Sequence, residues 1–200
     1  MKFLSAVFIV FFLSSCSSFQ AKRVDSEESD KKALQITDQW IQGDTERVTK
    51  NIVTRIRNKK SELPYFQTNK KPKIFIGEIQ NFTAEAYFPI NDLNNELLSE
   101  FSAGEDFVLV DAGSREKILK EITYKNDGMV DPVQAKKIGK QAGADLMIFG
   151  NVSSQVSSRK GKTIKQYTVT ISLTDIENGI ELIRVMDKLS KFSEQSSTGW

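Results

Sequence analysis

The first apolar run of the chain is Phe3 to Leu13, eleven uncharged and mostly hydrophobic residues behind Lys2. It is shorter than the ~18 residues that span a bilayer and reads as the core of a signal peptide covering residues 1–15. Residues 16–35 turn polar and aperiodic, with Asp25, Glu27, Glu28 and Asp30 clustered, and are expected to form a flexible tether. A folded domain is then expected over residues 36–192. Val48, Ile52 and Ile56 recur at helical spacing, predicting a helix over Asp44–Lys60 with Asp44 as its cap and Pro64 beyond its end. Ile74–Ile79 reads as a strand. Leu93, Leu97 and Phe101 place a helix over Ile90–Phe101, and Phe107–Val110 reads as a buried strand. Two further helices follow, one capped by Ser114 and one opened by Asp131-Pro132.

The last third changes period. Leu146–Gly150 reads as a strand, and Arg159-Lys160-Gly161-Lys162 as a turn. Tyr167, Val169, Ile171 and Leu173 alternate with Thr168, Thr170, Ser172 and Thr174 as in a half-buried strand. Glu177-Asn178-Gly179 signals a hairpin, and Leu182–Leu189 supplies the returning strand. The fold class is therefore α/β (α+β): one domain, a mixed central sheet with a C-terminal antiparallel meander, and helices packed against it. Residues 193–200 are expected to fray.

Composition narrows the chemistry. The 200 residues include no histidine and one cysteine, so imidazole-based catalysis, the commonest metal ligand and an intrachain disulfide are all excluded. The 28 basic and 26 acidic residues impose no partner by charge. Arg55, Arg57, Lys59, Lys60, Lys70, Lys71 and Lys73 crowd one stretch against Glu62. They form either a solvated helix end and loop, the favoured reading, or an anion-binding patch. Nucleic acid is not an expected partner of an exported protein. Gly161-Lys162-Thr163 lacks the leading glycine of a phosphate loop, which would fall at Val156. Ser-x-x-Lys occurs at Ser29, Ser114 and Ser157 without the motifs that accompany it in penicillin-binding active sites. No catalytic residue, metal site or cofactor is expected.

Leu13-Ser14-Ser15-Cys16 resembles the bacterial lipobox. The resemblance implies cleavage before Cys16, acylation of that residue and anchoring by several acyl chains. Ser17 stands where Asp would favour inner-membrane retention, which implies the outer membrane, with the domain facing the periplasm.

Farther along, Arg23-Val24-Asp25, Thr37-Asp38-Gln39-Trp40, Gly43-Asp44-Thr45 and Pro72 to Thr83 recur in a recognisable order. So do Ala135 to Gly139, Gly143 to Gly150, Tyr167 to Asp175 and Gly179. Together they resemble the LpoB-like family of lipoprotein activators of class A penicillin-binding proteins, related to curli-secretion-type lipoprotein domains. The resemblance implies a periplasmic α/β domain that docks on a peptidoglycan synthase and stimulates it without being an enzyme. Trp40, Tyr87 and Phe88 are the candidate contact residues, because loop aromatics anchor interfaces; packing onto the domain's own core is the alternative. A second reading is an envelope-assembly or secretion lipoprotein like the curli channel subunit. It requires spare strands of ~9–11 residues to cross a membrane, and none is evident in the sequence.

Overall fold

The computed structural model describes residues 21–68, 71–110 and 143–195. The leader, Cys16, Lys70, the two helices expected near Ser114 and Asp131, and residues 196–200 lie outside these. The first element is helix α1, Ser26–Ile36, within the stretch expected to be a structureless tether. The same charges that lower its hydrophobicity stabilise it. Asp25 caps it by accepting from the Glu28 N–H at 2.8 Å. Glu27 and Glu28 sit in its first turn and pair with Lys31 and Lys32 one turn on, at 2.6 and 3.3 Å. None of its residues is buried.

Helix α2, Gln42–Asn58, starts two residues earlier than its sequence pattern suggests. Asp44 is not the cap residue. From inside the first turn its carboxylate reaches back and accepts from the Ile41 N–H at 3.0 Å. Part of its basic end is tied into the fold, while Arg55 and Lys59 remain exposed. Arg55 holds the Met186 carbonyl at 2.6 Å and Asp187 at 3.2 Å. Arg57 holds the Glu100 carbonyl at 2.6 Å, and Lys60 pairs with Asp106. These cations tie α2 to the sheet and to helix α3, Ile90–Ser102.

The fold is a mixed α/β single domain around one sheet, with β1 (Lys73–Phe82), β2 (Val108–Leu109), β3 (Leu146–Arg159), β4 (Lys162–Asp175) and β5 (Glu181–Glu194) in the order β2-β1-β3-β4-β5. β1 runs parallel to β2 and β3, and β3-β4-β5 form the antiparallel meander. Helices α2 and α3 bury Val48, Ile52, Ile56, Leu93, Leu97 and Phe101 against one face of it. Phe75, Met147, Ala144 and Ile176 form a smaller cluster that includes residues on the other face.

Strict alternation would put Ile79 on the face opposite Ile74 and Ile76. Two residues of β1 between Ile76 and Ile79 are matched by one of β3, Phe149, and this bulge returns Ile79 to the main core. Ile79 and Ile171 then flank Gly150 in the adjoining positions of the sheet. A Cβ there would lie 2.6 Å from the Thr170 carbonyl oxygen and 2.5 Å from the Ile171 Cδ1. Gly150→Ala is accordingly expected to destabilise the domain by about 1–3 kcal/mol, as overpacking does. Urea unfolding midpoints compared at equal slope check this, and an unchanged midpoint would refute it.

The meander strands each run fourteen residues, longer than their sequence patterns suggest. Strands long enough to cross a membrane are therefore present, but all three form the domain's own sheet. Lys160 and Gly161, at φ 51° and 74°, make the two-residue turn between β3 and β4, which matches the right-handed strand twist. Ser193 and Glu194, expected to fray, are instead paired with Thr163 and Lys162.

Candidate partner-binding site

The loop after β1 is built by its own side chains. Asn81 Oδ1 accepts from the Thr83 N–H at 2.9 Å and the Thr83 hydroxyl at 2.7 Å, while Asn81 Nδ2 donates to the Glu85 carbonyl at 2.9 Å. The Glu85 N–H donates to Thr83 Oγ1 at 3.1 Å, and the Phe88 N–H to the Glu85 carbonyl at 3.2 Å. Asn-x-Thr here is thus the chemistry of an Asx turn.

The three candidate aromatics part company on this loop. Tyr87 is 99% exposed, whereas Phe88 and Trp40 are each 7% exposed. Trp40 packs between Phe88 and Tyr167, with ring centroids 5.0 and 5.3 Å away. Its indole N–H donates to Thr45 Oγ1 at 2.7 Å. The structure therefore brings Trp40 and Phe88 together inside the domain and leaves Tyr87 alone in solvent beside them.

Around this cluster lies a set of charges of which the sequence singled out only Asp44, and that as a helix cap. Lys165 Nζ contacts Asp38 at 2.9 Å and Glu85 at 3.5 Å. Glu85 also accepts from the Tyr167 hydroxyl, and Asp38 from the Ser193 hydroxyl at 2.7 Å. Lys191, only 5% exposed, contacts Asp44 at 2.6 Å and donates to the Gln39 carbonyl at 2.5 Å. A signal was available. Lys165 and Lys191 occupy the inward positions of β4 and β5, in phase with Tyr167 and Leu189, and a base on the apolar face implies a buried partner.

These contacts bind the segment Asp38–Thr45 to the sheet and fix the floor under the Tyr87 loop. The Lys165 hydrogen bond, then that from Ser193, holds the Asp38 carboxyl below its ordinary pKa of 3.8. Burial, then Glu85, pushes the Tyr167 hydroxyl above its ordinary 10.0. Burial works against the Lys165 charge, but the Asp38 hydrogen bond and the charges of Asp38 and Glu85 outweigh it and raise that pKa. Asp38 thus stabilises the fold above its unfolded pKa, and this is lost as pH falls through the lowered folded value. The contribution of Tyr167 is present below pH 10.0 and is lost as pH rises toward its folded value; Lys165 acts in the same sense. Stability measured against pH should therefore decline on both limbs. Asp38→Asn is expected to flatten the acid limb, and Tyr167→Phe to reduce the alkaline slope. Unaltered slopes in both variants would contradict these assignments.

Among the described residues, no group of three or more potential ligands is placed to hold a metal ion, and no helix is long and apolar enough to cross a membrane. What the geometry offers is a hydrogen-bonded loop that exposes Tyr87 and, at its start, Phe82, braced from behind by buried rings and paired charges. The class defined is a mixed α/β domain whose hydrogen-bonded loop presents Tyr87 to solvent. Residues 44–183 match the family model described as peptidoglycan-synthase activator LpoB, and the chain belongs to that family. The fold agrees. The LpoB C-terminal domain from Salmonella enterica matches with a TM-score of 0.55 at 12% identity, over 73% of this chain and 98% of that one. The Escherichia coli C-terminal domain gives the same values. The NMR structure of E. coli LpoB matches with a TM-score of 0.51 at 12% identity, over 90% of this chain and 83% of that one. No curated protein sequence matches the chain significantly.

Proposed function

We propose that this chain is a non-enzymatic regulator, anchored in the outer membrane through an acylated Cys16, that binds and activates a class A penicillin-binding protein in the periplasm. The observation that carries this reading is the match to the activator family across residues 44–183. Activation then requires only that the domain bind the synthase's active conformation more tightly than its inactive one. Tyr87 is the proposed direct contact, with Trp40 and Phe88 holding its loop in place. A loop whose backbone is already ordered loses little further freedom when its exposed aromatic enters a partner's pocket.

The test is reconstitution. The lipidated protein, added to a purified class A synthase of the same host, should raise the rate of glycan polymerisation, and no effect on any of the host's synthases would sink the proposal. Tyr87→Ala should weaken binding by about 2 kcal/mol, roughly thirtyfold, as loss of an interface anchor does. Its thermal midpoint should not move, because a fully exposed side chain holds nothing in the fold. Equal binding by the variant would remove Tyr87 from the interface.

A further inference from the structure

Ten large apolar side chains are exposed among the described residues, and five of them gather at one end of the molecule: Leu34, Ile36, Val156, Ile164 and Phe192. That end is the β3–β4 hairpin with the end of β5 and the C-terminal turn of α1. Ile164 and Phe192 are directly opposite each other in the register. Both are out of phase with the inward residues Tyr167 and Leu189, so they face away from the core, at 44% and 60% exposure. The turn between β3 and β4 adds Arg159, Lys160 and Lys162. Lys162 pairs with Glu194 at 3.3 Å, while Arg159 and Lys160 make no ion pair among the described residues. A groove of about 960 Å³ separates this hairpin from residues 34–39.

Two unpaired cations beside an outward apolar pair, on a protruding turn, suit the headgroup layer of an anionic bilayer. That layer accepts apolar side chains below and cations at the phosphate level. The position in the chain points the same way. The α1 cap Asp25 stands nine positions after Cys16, a reach of about 30 Å even when fully extended. The C-terminal turn of α1 lines the hairpin groove one helix length, about 16 Å, beyond Asp25, so an anchor at Cys16 keeps this end of the domain within about 45 Å of its membrane.

We propose that the β3–β4 hairpin is a second membrane contact: Arg159 and Lys160 engage anionic phospholipid headgroups while Ile164 and Phe192 enter the interface. This rests on the reading of Cys16 as a lipid anchor. One lipid tether leaves a domain free to swing, and a second contact fixes its orientation. The fourteen-residue meander strands then carry the Asp175–Ile180 turn about 45 Å from the hairpin end. The Tyr87 loop, hydrogen-bonded to Ser154, stands some 20 Å above the bilayer.

The experiment uses the full lipidated protein in vesicles of phosphatidylethanolamine with or without phosphatidylglycerol. Acylation leaves Cys16 without a free thiol, so Ser157→Cys, across the ladder from Ile164, accepts a polarity-sensitive dye at one place. Glu62→Cys, exposed and away from the hairpin, is the control. Flotation with the vesicles is scored first. Protein that does not float refutes the anchor and this inference with it. Protein that floats while the dye at position 157 matches the control refutes the hairpin contact alone.

The expected result is a blue shift and quenching by bilayer-embedded quencher at position 157 only, stronger with phosphatidylglycerol and weakened by salt. Arg159→Gln with Lys160→Asn should lower the ratio of docked to free hairpin roughly thirtyfold, at about 1 kcal/mol per cation near an anionic surface. Asn tolerates the positive φ at position 160. Phe192→Ser should also lower it, by removing the apolar anchor without touching the charge. A signal at position 157 that ignores both variants, or that arises only when a synthase is added, overturns the proposal in favour of a protein contact.

Discussion

Trp40→Ala is expected to lower the free energy of unfolding by about 3–5 kcal/mol, the cost of truncating a buried aromatic residue. The indole lies between Phe88 and Tyr167 and donates to Thr45, so truncation opens a cavity against two rings and leaves the Thr45 hydroxyl without its donor. Phe88 would lose its support, so the Tyr87 loop should loosen as well. Amide exchange over residues 83–89 is expected to accelerate alongside the lowered denaturation midpoint. Trp40→Phe retains most of the packing and should cost less. Trp40 precedes the segment that matches the family model, which begins at residue 44. A domain trimmed to that boundary is therefore expected to be destabilised by a comparable amount. A shift below 1 kcal/mol in Trp40→Ala would show that the ring does not hold the segment down.

Lys191→Ala is the second large effect. Lys191 and Asp44 are almost fully buried and 2.6 Å apart, and the ammonium also serves the Gln39 carbonyl. Removing it leaves a carboxylate in the interior with only the Ile41 N–H as its partner, a change expected to cost about 3–5 kcal/mol. The pair itself need not contribute that much, since desolvation offsets most of its attraction. The test is a double-mutant cycle. Asp44→Asn with Lys191→Met removes both charges and should cost clearly less than the two single changes added together. Strict additivity would mean that the two groups do not share one buried site. Both charges sit where an apolar residue would pack, and among the described residues β5 lies at the edge of the sheet. Inward charge there, from Lys191 and from Asp187, also discourages an unpaired edge from recruiting another chain.

Much of the architecture follows from pattern. The alternation of Tyr167, Val169, Ile171 and Leu173 against threonine and serine leaves only one way to lay β4 on a core. The turn residues Lys160-Gly161 and Asn178-Gly179 mark the ends of its ladders. The i, i+4 apolar positions of α2 and α3 mark their buried faces in the same way. The helix inside the expected tether escaped this logic because its stabilisation is electrostatic and local: a cap, first-turn acids and i, i+4 pairs, with no apolar stripe to count.

The candidate contact residues were legible only in outline. Trp40, Tyr87 and Phe88 carry the same sequence signal, an aromatic residue in a polar loop. Which of them meets solvent depends on where the loop is pinned: Asn81 and Thr83 hold it internally, the Ala84 N–H reaches Ser154, and Glu85 reaches Lys165 and Tyr167. The last three contacts join residues some seventy or more positions apart. No local pattern encodes them, because hydrogen bonds across strands depend on register, and the β1 bulge sets part of that register.

By itself, then, the sequence determined the periods, and with them the mixed sheet, its antiparallel meander and the faces that α2 and α3 bury. Its zero histidines and single cysteine removed whole classes of chemistry. The tertiary structure alone decided that Trp40 and Phe88 are core while Tyr87 is surface, and that Lys165 and Lys191 clamp the amino-terminal segment. It alone gathered Ile164, Phe192, Arg159 and Lys160 onto one end of the sheet. Periodicity is carried by neighbours a few residues apart, whereas burial and charge pairing are settled by whichever distant segment the fold lays alongside.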